Sequence, residues 1–279
     1  MENNLKKVLQ KHGFSFKKAF GQNFLTDQTL LNEIVEKAGV TKADTVLEIG
    51  CGAGALTSVL ADNAKRVVGF EIDQKLKPVL SEVLSGKDNV EIIYKDVLKT
   101  DLRELEKHLG DGYILVANLP YYITTPIIMT FLEKAKKVRA LVVMVQEEVA
   151  YRLSANAGSS DYGAITVSVN FSGSASIIKR VPREMFTPAP NVDSAVVKID
   201  IEKDKFAGVD YNSFREAVKC GFGNRRKMLV NNLMNTYKLT RGNAEEILDS
   251  CGISLTARGE VLAVEDYINL SQKLIEKTK

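Results

Sequence analysis

The stretch Glu48-Ile49-Gly50-Cys51-Gly52-Ala53-Gly54 constrains the fold more than any other part of the chain. It follows a short apolar run, Thr45 to Ile49, and precedes a helical pattern from Ala55 to Ala64. That order predicts a strand, a tight turn and a helix, with glycines admitting backbone geometry and close ligand approach that a Cβ forbids. The alternation then repeats. Arg66 to Ile72, Val90 to Tyr94, Tyr113 to Ala117 and Ala140 to Val145 read as strands, with helices at Lys75 to Leu84, Asp101 to Leu109 and Pro126 to Ala135. Ahead of them, Asp27 is placed to cap a helix bearing Leu30, Leu31, Ile34, Val35 and Ala38, and Gly39 ends it. Short apolar strands alternating with amphipathic helices predict an α/β fold whose parallel sheet is covered on both faces.

Beyond residue 164 the texture changes. The runs Ala164 to Phe171, Ser176 to Val181 and Ser194 to Ile201 are rich in Val, Ile and Ser at period-two spacing and predict late, partly antiparallel strands. Glu202 to Asp210, charged and containing Gly208, is the best linker. After it come helical patterns at Phe214 to Phe222, Lys227 to Met234, Ala244 to Cys251 and Val264 to Ile275. The expected division is therefore a sheet domain over 1–202 and a small all-helical domain over 203–279.

Several chemistries are disfavoured. No apolar run approaches the ~18 residues a membrane helix needs, and residues 1–10 lack a signal-peptide core. A cytoplasmic location is expected. Cys51, Cys220 and Cys251 have no C-x-x-C spacing, and the two histidines, His12 and His108, are far apart. A disulfide framework, a metal site and a His-based catalytic triad all lack material. Chemistry carried by an organic cofactor is the remaining expectation.

The net charge of +3 conceals a segregation. Residues 1–20 hold five lysines, Lys17 and Lys18 among them, against one acid, and residues 215–241 hold seven basic residues, including Arg225, Arg226 and Lys227, against one acid. These 47 residues carry +10 and the other 232 sum to −7. Phe14, Phe16, Phe20 and Phe222 are interleaved with the basic residues. Basic residues mixed with aromatics suit a polyanion, whereas solvated helix faces would need no aromatics.

The strand pattern places candidate ligand residues at one edge. Gly50 and Gly52 follow the first strand, Glu71 ends the second, Asp96 lies just past the third and Asn118 just past the fourth. Open α/β sheets bind ligands at that carboxyl edge. Glu71 can accept hydrogen bonds from two ribose hydroxyls and Asp96 from an adenine amine, so a nucleoside-type cofactor is expected. A dinucleotide is the less favoured ligand, because the spacing here is G-x-G-x-G rather than G-x-G-x-x-G.

The stretch Asn118-Leu119-Pro120-Tyr121 combines an amide, a rigid turn and an aromatic ring at the same edge. With it, and with Gly21-Gln22-Asn23-Phe24-Leu25, Phe70-Glu71-Ile72-Asp73, Gln146-Glu147-Glu148-Val149-Ala150, Phe186-Thr187-Pro188-Ala189-Pro190-Asn191-Val192-Asp193-Ser194 and Phe222-Gly223-Asn224-Arg225-Arg226-Lys227, the sequence closely resembles the ribosomal RNA adenine dimethyltransferases. Within them it is most similar to the bacterial small-subunit enzymes of the KsgA family. The resemblance covers nearly the whole chain. That family usually has Pro where this chain has Cys51, usually Leu at Phe20 and often Lys at Asp161.

The resemblance implies a Rossmann-like methyltransferase sheet with a small C-terminal all-helical domain. It implies S-adenosyl-L-methionine held by Asn23, Leu25, Gly50, Gly52, Glu71, Asp96 and Asn118, and no metal. The substrate it implies is 16S rRNA, in the small ribosomal subunit or its precursor, with two adjacent adenosines of the 3′-terminal hairpin dimethylated by a monomeric enzyme as part of ribosome biogenesis. Catalysis would fall to Asn118, to the carbonyl of Leu119 or Pro120, and to Tyr121 and Phe186 on either face of the flipped base. Lys17, Lys18, Arg225, Arg226 and Lys227 would meet the RNA. The alternatives are a macrolide-resistance type methyltransferase of large-subunit rRNA, a non-catalytic assembly factor on the same scaffold, and a dinucleotide-dependent oxidoreductase.

Overall fold

The structure, a computed structural model, describes residues 2–14 and 23–278. In chain order these form α1 (Glu2–Lys11), β1 (Phe24–Leu25), α2 (Gln28–Ala38), β2 (Thr45–Ile49), α3 (Ala55–Asn63), β3 (Arg66–Phe70), α4 (Lys77–Val83), β4 (Val90–Ile93), α5 (Leu102–Leu109), β5 (Tyr113–Asn118), α6 (Tyr121–Lys134), β6 (Val138–Gln146), α7 (Glu147–Leu153), α8 (Ala164–Ser172), β7 (Gly173–Val181), β8 (Phe186–Thr187), β9 (Ser194–Ile201), α9 (Tyr211–Phe222), α10 (Leu229–Tyr237), α11 (Arg241–Ser250) and α12 (Val264–Thr278).

Seven strands make one sheet in the order β4-β3-β2-β5-β6-β9-β7, and β1 pairs antiparallel with β8 apart from it. Strands β2 to β6 run parallel, while β9 returns antiparallel to β6. From β2 the chain first builds outward through β3 to β4 and then crosses back to β5 on the other side. This reversal opens a crevice beyond the carboxyl ends of β2 and β5, the place where open α/β sheets hold ligands. Leu47, Val67, Val68 and Leu115 are wholly buried. Their near-continuous apolar strands follow from burial on both faces.

On one face, Leu31, Ile34 and Val35 of α2 and Leu60 of α3 pack on Val46, Ile114 and Val142. The α2 ends are those expected: Asp27 Oδ1 accepts from the Leu30 N–H at 2.8 Å, and Gly39 closes the helix at φ 76°. Leu5, Val8 and Leu9 of α1 form a separate cluster with Leu76, Val79 and Leu80 at α4. Fully burying side chains of this size stabilises the fold by roughly 1.5–3 kcal/mol each.

The expected single cut at 202/203 does not describe the compact units. One unit takes in the described residues up to Ala150 together with Ala175–Ile201; the other takes Tyr151–Ser174 with the chain from Glu202 onward. The extra stretch carries the clearest misreading, because Ala164 to Phe171 is helix α8 and not a strand. Beneath its period-two alternation lies a helical one. Val167 is wholly buried in the helical unit's core, with Ala164 and Phe171 packed against it, and the Phe171 and Phe214 rings stack at 4.2 Å. The Ser168 and Ser172 hydroxyls donate to the Ala164 and Ser168 carbonyls at 3.1 Å each. The polar positions thus bond their own helix, and packing overrides β propensity.

Two further boundaries moved. Strand β7 begins at Gly173 rather than Ser176. Helix α6 begins five residues before Pro126, which lies inside it. Proline removes the donor that the Tyr122 carbonyl needs, but Tyr122 is 63% exposed, so water can take its place. No helix among the described residues is long and apolar enough to cross a membrane.

Candidate active site

Beyond the reversal between β2 and β5 lies a cavity of about 300 Å³. Its wall contains every cofactor residue the sequence singled out: Asn23, Leu25, Gly50, Gly52, Glu71, Asp96 and Asn118. Leu119, Pro120, Tyr121 and Phe186 line it as well. The N-terminal Asn23-Phe24-Leu25 reaches this place because Phe24 and Leu25 are laddered to Thr187 and Phe186. Residues more than 160 positions apart in sequence thus form one wall.

The glycine loop is built for close approach. At Gly52, with φ 54°, an added Cβ would lie 3.1 Å from the Phe24 ring. The Gly52 N–H donates to Glu71 Oε2 at 2.8 Å, and the Asp73 N–H donates to Glu71 Oε1 at 2.8 Å. Two backbone bonds therefore fix the Glu71 carboxylate while each oxygen keeps acceptor capacity for a ligand hydroxyl. Burial pushes the Glu71 acid upward in pKa, and these bonds oppose it. Asp96 Oδ1 accepts from the Leu98 N–H at 3.0 Å, which orients the carboxylate past β4.

Cys51 also lines the cavity, but its thiol is packed against the neighbouring strand. A Cβ on Gly69 would fall almost on its sulfur, and burial keeps the thiol protonated by raising its pKa. The cysteine at this position therefore introduces no reactive group.

At the end of β5 the two candidate carbonyls, of Leu119 and Pro120, differ in what they already bond. The Pro120 carbonyl already accepts from the Ile123 N–H at 3.1 Å and from Thr124 Oγ1 at 3.2 Å. A carbonyl oxygen has two lone pairs. The Leu119 carbonyl, by contrast, accepts no such bond from a described residue.

The two aromatic candidates differ. Phe186 is only 4% exposed and packs in the same core cluster as Leu25 and Leu31. Tyr121 is half-buried and its hydroxyl lies 2.9 Å from Ser194 Oγ, a fully buried residue at the start of β9. Nothing in the sequence signals a role for Ser194, because the two residues are 73 positions apart and only the fold joins them. Tyr121→Phe and Ser194→Ala should each slow any chemistry at this turn several-fold, the worth of about 1 kcal/mol for one hydrogen bond. The double variant should lose no more than either single one. Fully additive losses in kcat would contradict a shared role.

Glu48 is a second residue whose surroundings the sequence does not display. It is 1% exposed, lines the cavity, and neither carboxyl oxygen makes a well-formed hydrogen bond, although Thr57 and Cys51 lie against it. Thr57, wholly buried beside it, also leaves its hydroxyl unpaired. Desolvation pushes the Glu48 pKa up to about 8; the Thr57 hydroxyl and the Cys51 thiol oppose the shift, and repulsion from Glu71 adds to it. Orphaned oxygens, a glycine turn and two acids on neighbouring strand ends form a donor set suited to S-adenosylmethionine, which carries hydroxyls, an adenine amine and positive charge.

In the helical unit the basic residues separate. Arg225 donates to the Ser160 and Tyr162 carbonyls at 3.3 and 3.1 Å and lies 3.6 Å from Glu260, so its guanidinium ties the 160–162 loop, Asp161 included. Arg226 and Lys227 are exposed and make no ion pair with a described residue. Lys17 and Lys18, with Phe16 and Phe20, lie outside the described residues. No group of three metal-ligating side chains occurs among the described residues.

A family model described as ribosomal RNA adenine dimethylase matches residues 13–276. The chain is 45% identical to "Ribosomal RNA small subunit methyltransferase A" of Bacillus licheniformis, over 97% of this chain and 95% of that protein. The protein of the same name from Clostridioides difficile is 43% identical, over 96% and 94%. Among solved structures, a dimethyladenosine transferase from Plasmodium falciparum superposes with a TM-score of 0.77 at 25% identity, covering 91% of this chain and 98% of that one. The 23S rRNA methyltransferase ErmE gives 0.70 at 28%, covering 91% and 100%.

Proposed function

The chain belongs to the ribosomal RNA adenine dimethylase family, and from that premise we propose that it dimethylates the exocyclic amines of two adjacent adenosines in the 3′-terminal hairpin of 16S rRNA. The cofactor is S-adenosylmethionine, which supplies a methyl group on a positively charged sulfur. The enzyme acts as a monomer in the cytoplasm, on the small subunit or its precursor. The observation that carries this reading is the turn Asn118-Leu119-Pro120-Tyr121 at the mouth of the β2/β5 crevice, facing a cavity that already contains Glu71 and Asp96.

An adenine amine is a weak nucleophile because its lone pair is delocalised into the ring. Asn118 Oδ1 and the Leu119 carbonyl can each accept a hydrogen bond from it, drawing the lone pair out of conjugation toward the methyl group; after the transfer the nitrogen sheds one proton to water. These bonds strengthen as positive charge grows on nitrogen, so they favour the transition state over the ground state. Asn23, Leu25, Gly50, Gly52, Glu71 and Asp96 hold the cofactor in line. Tyr121, braced by Ser194, offers a stacking face worth ~1–3 kcal/mol to a base turned out of its helix. Phe186 acts chiefly by seating Leu25 and closing the wall.

The helical unit supplies the RNA grip through Arg226 and Lys227. A double alanine variant at those positions should flatten the salt dependence of rRNA binding, lowering the log–log slope by about 1 to 2. Arg225→Ala should instead lower the melting temperature and leave that slope nearly unchanged. An equal loss of slope from Arg225→Ala would return it to the RNA surface.

The small-subunit target is favoured over a large-subunit one by 43–45% identity along nearly full length to the small-subunit enzymes, against 28% to ErmE. Primer extension across both rRNAs from cells lacking the gene tests the choice. The missing stops are expected in 16S rRNA, and stops missing from 23S rRNA alone would overturn it.

A further inference from the structure

Glu48 sits in the wall of the cofactor cavity with its carboxyl group out of solvent; Thr57 and Cys51 lie against it without a well-formed hydrogen bond, and no cation of a described residue reaches it. Such an arrangement is costly for a charged carboxylate and tolerable for a neutral acid. The polar groups facing it come from every side: Thr57 on α3, Cys51 in the glycine loop, and Glu71 past β3. Asp96 and Lys95 line the same cavity past β4. None of them neutralises it. Thr57 and Cys51 carry no charge, Glu71 and Asp96 are acids, and no described Lys or Arg forms an ion pair with Glu48. The groups in contact with Glu48 thus supply no compensating positive charge.

We infer that Glu48 is a neutral acid in the ligand-free protein and gives its proton to solvent when a positively charged group of S-adenosylmethionine enters, so that cofactor capture and proton release are a single event. The balance is simple: the O–H bond of the Glu48 carboxyl breaks, the proton passes to buffer, and the carboxylate left behind pairs with the ligand's positive charge. No electrons move. The pairing compensates a charge that the empty cavity does not tolerate. The inference rests on the cofactor reading above and adds to it the ionisation state of one residue.

A pKa near 8 for the empty site means that close to one proton is released per ligand at pH 7. Affinity should climb nearly tenfold per pH unit below about pH 7 and level off above about pH 8. Titration calorimetry of the full chain with S-adenosylmethionine, in phosphate and in Tris at pH 7, reads the proton directly from the dependence of heat on buffer ionisation. We expect close to one proton released by the wild type and none by Glu48→Gln. Release with S-adenosylhomocysteine too assigns the trigger to the ammonium group both ligands carry; release with S-adenosylmethionine alone assigns it to the sulfonium.

Infrared difference spectra of the wild type provide a readout independent of any variant. A protonated-carboxyl stretch should vanish on binding. Binding with no buffer dependence and no such band would overturn the inference while leaving the cofactor reading intact, as would unchanged proton release from Glu48→Gln. Absence of any binding heat from the wild type at either pH 7 or pH 8 would overturn the cofactor reading itself, and this inference with it.

Discussion

Purified Asn118→Ala protein is expected to lose methyl transfer by about 10²–10³-fold or more while binding rRNA nearly as well as the wild type. The loss follows from the site's economy of acceptors. With the Pro120 carbonyl occupied by Ile123 and Thr124, the amine has the Asn118 side chain and the Leu119 carbonyl to meet, and the substitution removes one of them. The effect should appear in kcat at saturating S-adenosylmethionine, because the lost bond strengthens as charge develops on nitrogen. Incorporation of labelled methyl at the wild-type rate would remove Asn118 from the chemistry.

The second large effect is on stability. An ordinary Glu, with a pKa of 4.5, has lost its proton in the unfolded chain by about pH 6, whereas Glu48 in the folded protein keeps its own up to about pH 8. The folded state therefore binds the extra proton. Stability from this group is fully present below pH 4.5 and is lost as pH rises through about 8, a total of about 5 kcal/mol at 1.36 kcal/mol per pKa unit. Glu48→Gln has nothing to titrate. Urea unfolding of the ligand-free protein at pH 5 and pH 8 should show the variant gaining several kcal/mol on the wild type between the two. The difference isolates Glu48 from the other titrating groups. Parallel pH profiles for the two proteins would mean that its carboxyl is already ionised in the fold.

These two residues mark what a sequence can and cannot display. That Gly50, Glu71, Asp96 and Asn118 lie along one cavity was legible because a parallel α/β sheet places the ends of successive strands along one edge, and strand ends can be read from apolar runs. The Asp27 cap and Gly39 stop were legible because their chemistry is local. The orphaned state of Glu48 depends on what surrounds it, and the Tyr121–Ser194 bond on a fold that joins residues 73 positions apart. Arg225 looked like its neighbours Arg226 and Lys227, but the carbonyls that hold it belong to residues 160 and 162. Helix α8 was lost to its Val and Ile content, and with it the fact that the helical unit draws on two separate stretches of chain.

The measurement that bears most directly on the whole account is methyl transfer to defined particles. Small subunits from cells lacking the modification are incubated with the purified protein and labelled S-adenosylmethionine, and the modified nucleotides are located by mass spectrometry of rRNA fragments. The account predicts label in two adjacent adenosines of the 3′-terminal hairpin of 16S rRNA, each recovered as the dimethylated base. No incorporation, or label confined to 23S rRNA, would contradict it.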